Sequence, residues 1–116
     1  MSNMLEVLKV LNLSVRFLLE LCVLFILGYW GYKIGGTTSF KIILAIIVPL
    51  TIAIVWGVFG SPHAPIKLSV LVHAAVEFCI FFLPFLALYT LNYSSVAILY
   101  ATFVVANRLL MFIWGQ

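Results

Sequence analysis

The chain has 116 residues, of which 66% are hydrophobic and 8% are charged, and its mean hydropathy is +1.32. A soluble domain averages roughly 25% charged residues, and a helix needs about 20 apolar residues to cross a bilayer. The sequence therefore predicts a single all-α transmembrane domain over residues 1–116, an integral four-helix bundle with no room for a soluble domain. Its six basic residues are scattered, which argues against nucleic acid as a partner.

The first predicted span covers residues 3–33 and contains two opposite charges inside its apolar run. Arg16 and Glu20 are four residues apart, so on a helix they face the same way and can pair. A full charge at the bilayer centre costs roughly 2.5–3.5 kcal/mol on insertion scales. We therefore expect this face of the span to avoid lipid and the other spans to complete a polar interior.

The second predicted span covers residues 40–59 and ends at a turn that contains two prolines. Pro49 lies near the middle of the span, where a kink is expected. Proline and glycine cannot continue the helix beyond residue 59. The predicted turn motif consists of Trp56, Gly57, Ser61, Pro62, His63 and Pro65.

The third and fourth predicted spans cover residues 66–91 and 95–114. The third contains His73, Glu77 and Pro84, and the fourth contains Asn107 and Arg108. The connection between them is very short, so these two spans must be antiparallel neighbours.

An internal repeat is a possible origin of this arrangement. Arg16 and His73 differ by 57 positions, as do Glu20 and Glu77. Two tandem helical hairpins would then be related by a parallel pseudo-twofold axis along the bilayer normal. Chance alignment of apolar sequences is the alternative.

The polar residues of the spans are all expected in the membrane half that lies next to the termini. Spans 1 and 3 run parallel, so their two polar pairs should lie at a similar depth. The predicted intramembrane cluster consists of Arg16, Glu20, His73, Glu77, Asn107 and Arg108.

Two functions remain open for this cluster. The first is a small transporter or ion- or proton-conducting protein, in which Glu20 or Glu77 exchanges a proton or binds a small cation. The alternative is a non-transporting membrane scaffold or accessory subunit whose buried ion pairs only assemble the bundle, with Asn107 as an interhelical hydrogen-bond donor.

Other kinds of site have little support in the sequence. His73, Glu77 and Glu20 could converge on a metal ion, but the two nearby arginines argue against it, so no metal is expected. The chain shows no nucleophile elbow, phosphate loop or cofactor fingerprint. We therefore expect neither an enzyme nor a bound cofactor.

The chain resembles the YrdB-like family of small bacterial membrane proteins. The likeness covers nearly the whole chain and rests on Glu77 and on the segments RFLLEL at 16–21, GYWG at 28–31 and WGVFGSPHAP at 56–65. It implies a four-helix bacterial membrane protein and supplies no catalytic residues. The four-span architecture and Glu20 are also similar to the small multidrug resistance transporters, an analogy at the level of fold alone.

Location and assembly are further expectations. The chain should be a multi-pass protein of the cell membrane, and both termini should be cytoplasmic because Arg16 and Arg108 lie nearer that side. Four thin helices can scarcely enclose a charged cavity alone, so a homodimer is expected.

Overall fold

The computed structural model describes residues 2–60 and 65–115, and within these ranges the chain is helical and contains no strand. The α2 helix continues into a single π-helical turn at Trp56–Gly60. Four helical segments are long and apolar enough to cross a membrane, which confirms the predicted all-α four-helix bundle. The helices are α1 (Ser2–Ile34), α2 (Thr38–Val55), α3 (Val70–Thr90) and α4 (Ser94–Trp114).

Hydroxyl caps fix the start of two helices. The side chain of Thr37 accepts a hydrogen bond from the backbone N–H of Phe40 at 3.3 Å, and Ser69 accepts one from Val72 at 3.4 Å. Such caps satisfy backbone donors that the first helical turn leaves free. Because the cap lies at Ser69, α3 begins at Val70 rather than at residue 66, where the sequence pattern places it.

The turn between α3 and α4 depends on Asn92. Its φ is +68°, in the left-handed region that asparagine tolerates better than most residues. The backbone N–H of Tyr93 then donates to the Leu88 carbonyl at 2.9 Å and closes the turn. As the short connection predicts, α3 and α4 are antiparallel neighbours.

The α1 and α2 helices pack closely through glycine. A Cβ atom on Gly31 would lie 2.6 Å from the Leu44 carbonyl oxygen, and one on Gly28 would lie 3.2 Å from that of Ala45. Small residues at these positions allow the two backbones to approach. The α2 helix itself contributes no buried residue, so it lies on the outside of the bundle, as its nearly uncharged sequence predicts.

The apolar core lies between α1, α3 and α4, and it includes a hydrogen bond beside Pro84. Proline inside a helix removes one backbone hydrogen bond and disturbs the carbonyls of the preceding turn. The carbonyl that loses its donor is that of Ile80, and the buried Tyr100 hydroxyl donates to the neighbouring Phe81 carbonyl at 2.8 Å, so α4 contributes a hydrogen bond to the disturbed turn of α3. The buried apolar residues are Leu19, Val23, Leu27, Ile80, Phe81, Ala87, Leu88, Ala97 and Tyr100.

The embedded charges lie towards one end of the bundle. We call this the terminal end, where α1 and α3 begin and α4 ends, and we call the other the hairpin end. At 1.5 Å per residue, Glu77 lies about 10 Å from the start of α3 and Arg108 about 9 Å from the end of α4. Both distances are shorter than half of a hydrocarbon core about 30 Å thick, which is compatible with the predicted placement of these charges in one membrane half.

The internal duplication stays a prediction. The α1 helix has 33 residues and α3 has 21, so the two segments that the repeat equates differ in length. The repeat would also make Arg16 equivalent to His73, but Arg16 pairs with Glu77 whereas His73 contacts a backbone carbonyl.

Candidate functional site

Glu77 is the centre of the charged cluster. Its Oε1 atom lies 3.1 Å from Arg16 Nη2, and its Oε2 atom lies 3.0 Å from Arg108 Nε. The Glu77 side chain is only 11% exposed, and charge-assisted hydrogen bonds are strong in such an environment. One carboxylate therefore joins three helices, with Arg16 on α1 and Arg108 on α4.

Arg16 is buried against aromatic rings as well as against carboxylates. Its guanidinium carbon lies 4.0 Å from the ring centroid of Phe81 and 5.7 Å from that of Trp56, both within cation–π range. Its buried Nη1 atom has no hydrogen-bond partner among residues 2–60 and 65–115. A buried donor without a partner costs about 1–3 kcal/mol, so the network is incomplete at this atom.

Glu20 is held more loosely than Glu77. Its Oε1 atom lies 3.8 Å from Arg16 Nε, and its side chain is 27% exposed. It lies one helical turn, about 6 Å, farther from the terminal end than Arg16, and the Trp56 side chain is a second polar neighbour. Glu20 borders a cavity of about 180 Å³ with otherwise apolar and aromatic walls, so this carboxylate has free space beside it.

Asn107 pairs with a residue that the sequence analysis did not select. Its Nδ2 group lies 2.9 Å from both the carbonyl oxygen and the side-chain oxygen of Asn12, and it donates to them. Both residues are buried, and the pair ties α4 to α1 beside the ion-pair network. Asn12 is four residues before Arg16 on the same helix face, and this spacing was the signal that could have identified it.

His73 lies outside the ion-pair network that was expected to include it. Its Nε2 atom lies 2.7 Å from the Gly60 carbonyl oxygen, and its ring centroid lies 6.2 Å from that of Trp56. Because a carbonyl can only accept, Nε2 is the nitrogen that carries the proton. His73 thus joins α3 to the π-helical turn, while Glu77 pairs with the arginines.

The described part of the turn motif surrounds Trp56. This ring packs edge-on against Phe81 at 5.8 Å between centroids, in addition to its contacts with Arg16 and His73. A Cβ atom on Gly60 would collide with the Trp56 ring, so this close approach requires glycine. Gly57 lies in the same turn and Pro65 follows at an exposed position, whereas Ser61, Pro62 and His63 lie outside the described residues.

The described residues form no metal site. Within residues 2–60 and 65–115, no three histidine, cysteine, aspartate or glutamate side chains come together. Cys22 and Cys79 are both free thiols at exposed positions on their helices. The chemistry that the cluster offers is therefore ion pairing and hydrogen bonding.

Comparison with known proteins gives a family and no activity. A family described as "Protein of unknown function (DUF2568)" matches residues 14–106. The chain belongs to this family. The match includes Arg16, Glu20 and Glu77 and ends before Asn107 and Arg108.

A curated relative extends the similarity over almost the whole chain. The "Uncharacterized protein YrdB" of Bacillus subtilis (strain 168) is 30% identical in an alignment of length 112 that covers 90% of this chain and 90% of the relative. The resemblance predicted from the sequence is thereby confirmed. No solved structure matches the chain.

Proposed function

We propose that this protein is a non-transporting, non-enzymatic membrane scaffold or accessory subunit, and that its buried ion pairs set the arrangement of its helices. The observation behind this proposal is the state of Glu77, whose two oxygens are each engaged by a different arginine at 3.0 and 3.1 Å. Each arginine comes from a different helix, so Glu77 fixes the position of α3 relative to both α1 and α4.

The surroundings of Glu77 favour structure over exchange. A carboxylate that carries a proton or a cation must lose or share its charge during each cycle. Loss of the charge on Glu77 would leave Arg16 and Arg108 with no carboxylate between them in a low-dielectric interior, where an unpaired charge is costly. An exchange role for Glu77 would therefore have to break both of its contacts with arginine.

Flux measurements on proteoliposomes test this proposal. Purified wild-type protein is reconstituted and assayed for movement of protons, metal ions, organic cations and small anions. The scaffold proposal expects no flux above that of empty vesicles and expects Glu77→Gln to reduce the yield of folded protein. Flux of any of these species that disappears in a folded Glu77→Gln variant would contradict it.

Transport through Glu20 is a second candidate, and the looser environment of this residue favours it. Glu20 lies 3.8 Å from Arg16, farther than Glu77 lies from either arginine, is 27% exposed and borders the 180 Å³ cavity. Neutral glutamine at this position should leave the Glu77 network intact. If transport depends on Glu20, wild type moves a proton or small cation and a folded Glu20→Gln variant does not. Equal flux in the two proteins would exclude a transport role for Glu20.

We also propose a multi-pass location in the cell membrane, with both termini in the cytoplasm and two copies of the chain per assembly. Accessibility of tags placed at each terminus and in each loop of whole cells tests the orientation, and labelling of both faces would mean dual topology. Mass measurement in mild detergent and in nanodiscs tests the assembly, and a monomer in both environments would rule out the homodimer.

A further inference from the structure

A groove beside α3 and α4 has a charged end and an aromatic wall. Its volume is about 430 Å³, within the roughly 300–1,000 Å³ typical of ligand sites. Arg16, Glu77 and Arg108 contribute the charges, so the groove contains two positive groups and one negative group. Its remaining walls are apolar and aromatic and include Ala74, Phe78, Phe82 and Phe85.

The aromatic wall is part of a stacked ladder along α3. The ring centroids of Phe78, Phe82, Phe85 and Tyr89 are separated in turn by 5.3, 5.7 and 6.2 Å, with interplanar angles of 12°, 23° and 24°. The ladder begins next to Glu77 and extends about 16 Å along the helix axis. Phe78 and Phe82 lie about 12 and 18 Å from the start of α3, so an acyl chain that enters from the terminal end can contact the first rings of the ladder.

One arginine side chain at the charged end is open to the groove. The Arg16 residue is only 6% exposed, and its charge is balanced from outside the groove by Glu20, which lies 3.8 Å from Arg16 Nε. The Arg108 side chain is 45% exposed and contacts Glu77 through Nε, so the other end of its guanidinium group faces outward. An anion can therefore approach this end of the groove at Arg108.

We propose that the groove binds one anionic phospholipid of the surrounding bilayer, with its phosphate at Arg108 and one acyl chain along the aromatic ladder. Arg108 lies about 9 Å from the end of α4, and arginines this close to a helix end extend towards the headgroups. Guanidinium matches phosphate geometry through paired donors, and the exposed part of Arg108 offers such donors to a phosphate. This inference goes beyond the proposed function and holds for either candidate.

Native mass spectrometry of the full chain in detergent tests the proposal with two lipids of matched acyl chains. The protein is titrated with dioleoylphosphatidylglycerol, which is anionic, or with dioleoylphosphatidylcholine, which is zwitterionic. We expect one retained phosphatidylglycerol per chain and weaker retention of phosphatidylcholine. Arg108→Gln should weaken phosphatidylglycerol binding about fivefold, the value of one basic residue near an anionic lipid. Lys33→Gln, which removes one positive charge at the hairpin end, should leave it unchanged.

A second pair of variants tests the groove without altering any charge. Ala74 and Ala75 are adjacent exposed residues of α3, but only Ala74 lines the groove. Ala74→Phe should displace the lipid, whereas Ala75→Phe should retain it, and circular dichroism verifies that both variants are folded.

Several outcomes would overturn the phospholipid site. These are equal retention of the two lipids, equal loss in the two phenylalanine variants, and displacement of phosphatidylglycerol by oleate at equal concentration, which would indicate a carboxylate ligand. A dimer that retains no lipid, and that Ala74→Phe dissociates, would assign the groove to a second copy of the chain.

Discussion

The Glu77→Gln substitution tests the central claim about the bundle, because it removes one charge and keeps the shape of the side chain. Wild-type Glu77 lies 3.1 Å from Arg16 and 3.0 Å from Arg108. In the variant, two arginines share a neutral amide that offers one acceptor oxygen instead of two charged ones. The buried Arg16 then keeps Glu20 as its acidic partner, at the longer distance of 3.8 Å.

The size of the effect follows from these distances. At an effective dielectric constant of about 20, each contact near 3 Å contributes about 5 kcal/mol of Coulomb attraction, part of which desolvation offsets. Breaking a buried pair typically costs about 3–5 kcal/mol. Glu20→Gln breaks a longer pair within one helix, of a kind worth about 0.2–0.5 kcal/mol in isolated helices. We therefore expect Glu77→Gln to destabilise the protein several times more than Glu20→Gln does.

Titration with sodium dodecyl sulfate in mixed micelles, followed by circular dichroism, measures the free energy of unfolding of the variants. A triple variant serves as control: Arg16→Met, Glu20→Gln and Glu77→Leu together remove the three linked charges on α1 and α3, and Arg108 can extend to the headgroups. This variant should regain most of the lost stability, as apolar replacements of buried pairs often do. If Glu77→Gln stays within 1 kcal/mol of wild type, or if Glu20→Gln is equally damaging, the assignment of Glu77 as the structural centre is wrong.

Three other substitutions have defined expectations in the same unfolding assay. Tyr100→Phe removes the hydroxyl that donates to the Phe81 carbonyl and should lower stability by about 1 kcal/mol, so an unchanged value would mean that another donor replaces it. Gly31→Val should force α1 away from α2 and lower the free energy of unfolding. Gly36→Ala is the control, because no atom lies within 4 Å of the added Cβ, and it should not change stability through steric contact. Equal effects of these two substitutions would refute the close approach. Asn107→Ala should cost about 0.6–1.7 kcal/mol, the range for interhelical hydrogen bonds in membranes, and a stabilised variant would show that the pair with Asn12 is unfavourable.

Much of the architecture follows from sequence pattern, because helix length and apolar composition determine which segments can cross a bilayer. The shared depth of Arg16 and Glu77 was also predictable, since spans 1 and 3 run parallel. The role of His73 was not, because its partner is the backbone carbonyl of Gly60, and hydrogen bonds to backbone leave no mark in side-chain spacing. Asn12 was missed for a different reason: it is uncharged and lies towards the start of α1, so its sequence position does not indicate that Asn107 is its partner.

The start of α3 shows a second limit of the sequence pattern. Apolar residues resume directly after Pro65, so composition places the helix start there. The local hydrogen bond from Val72 to Ser69 decides otherwise. Capping acts through the single hydroxyl group of Ser69. Hydropathy averaged over the segment does not detect it, so composition alone does not locate the first residue of α3.

The two partners of Arg16 become available at different times during synthesis. Glu20 emerges in the same helix, whereas Glu77 follows 61 positions after Arg16. At about 5–20 residues per second, the ribosome takes several seconds to reach it. Throughout that interval Glu20 is the counter-charge that helps α1 leave the translocon with its arginine. The contact that is weaker in the finished bundle is thus the earlier one, and loss of Glu20 should affect membrane insertion more than final stability.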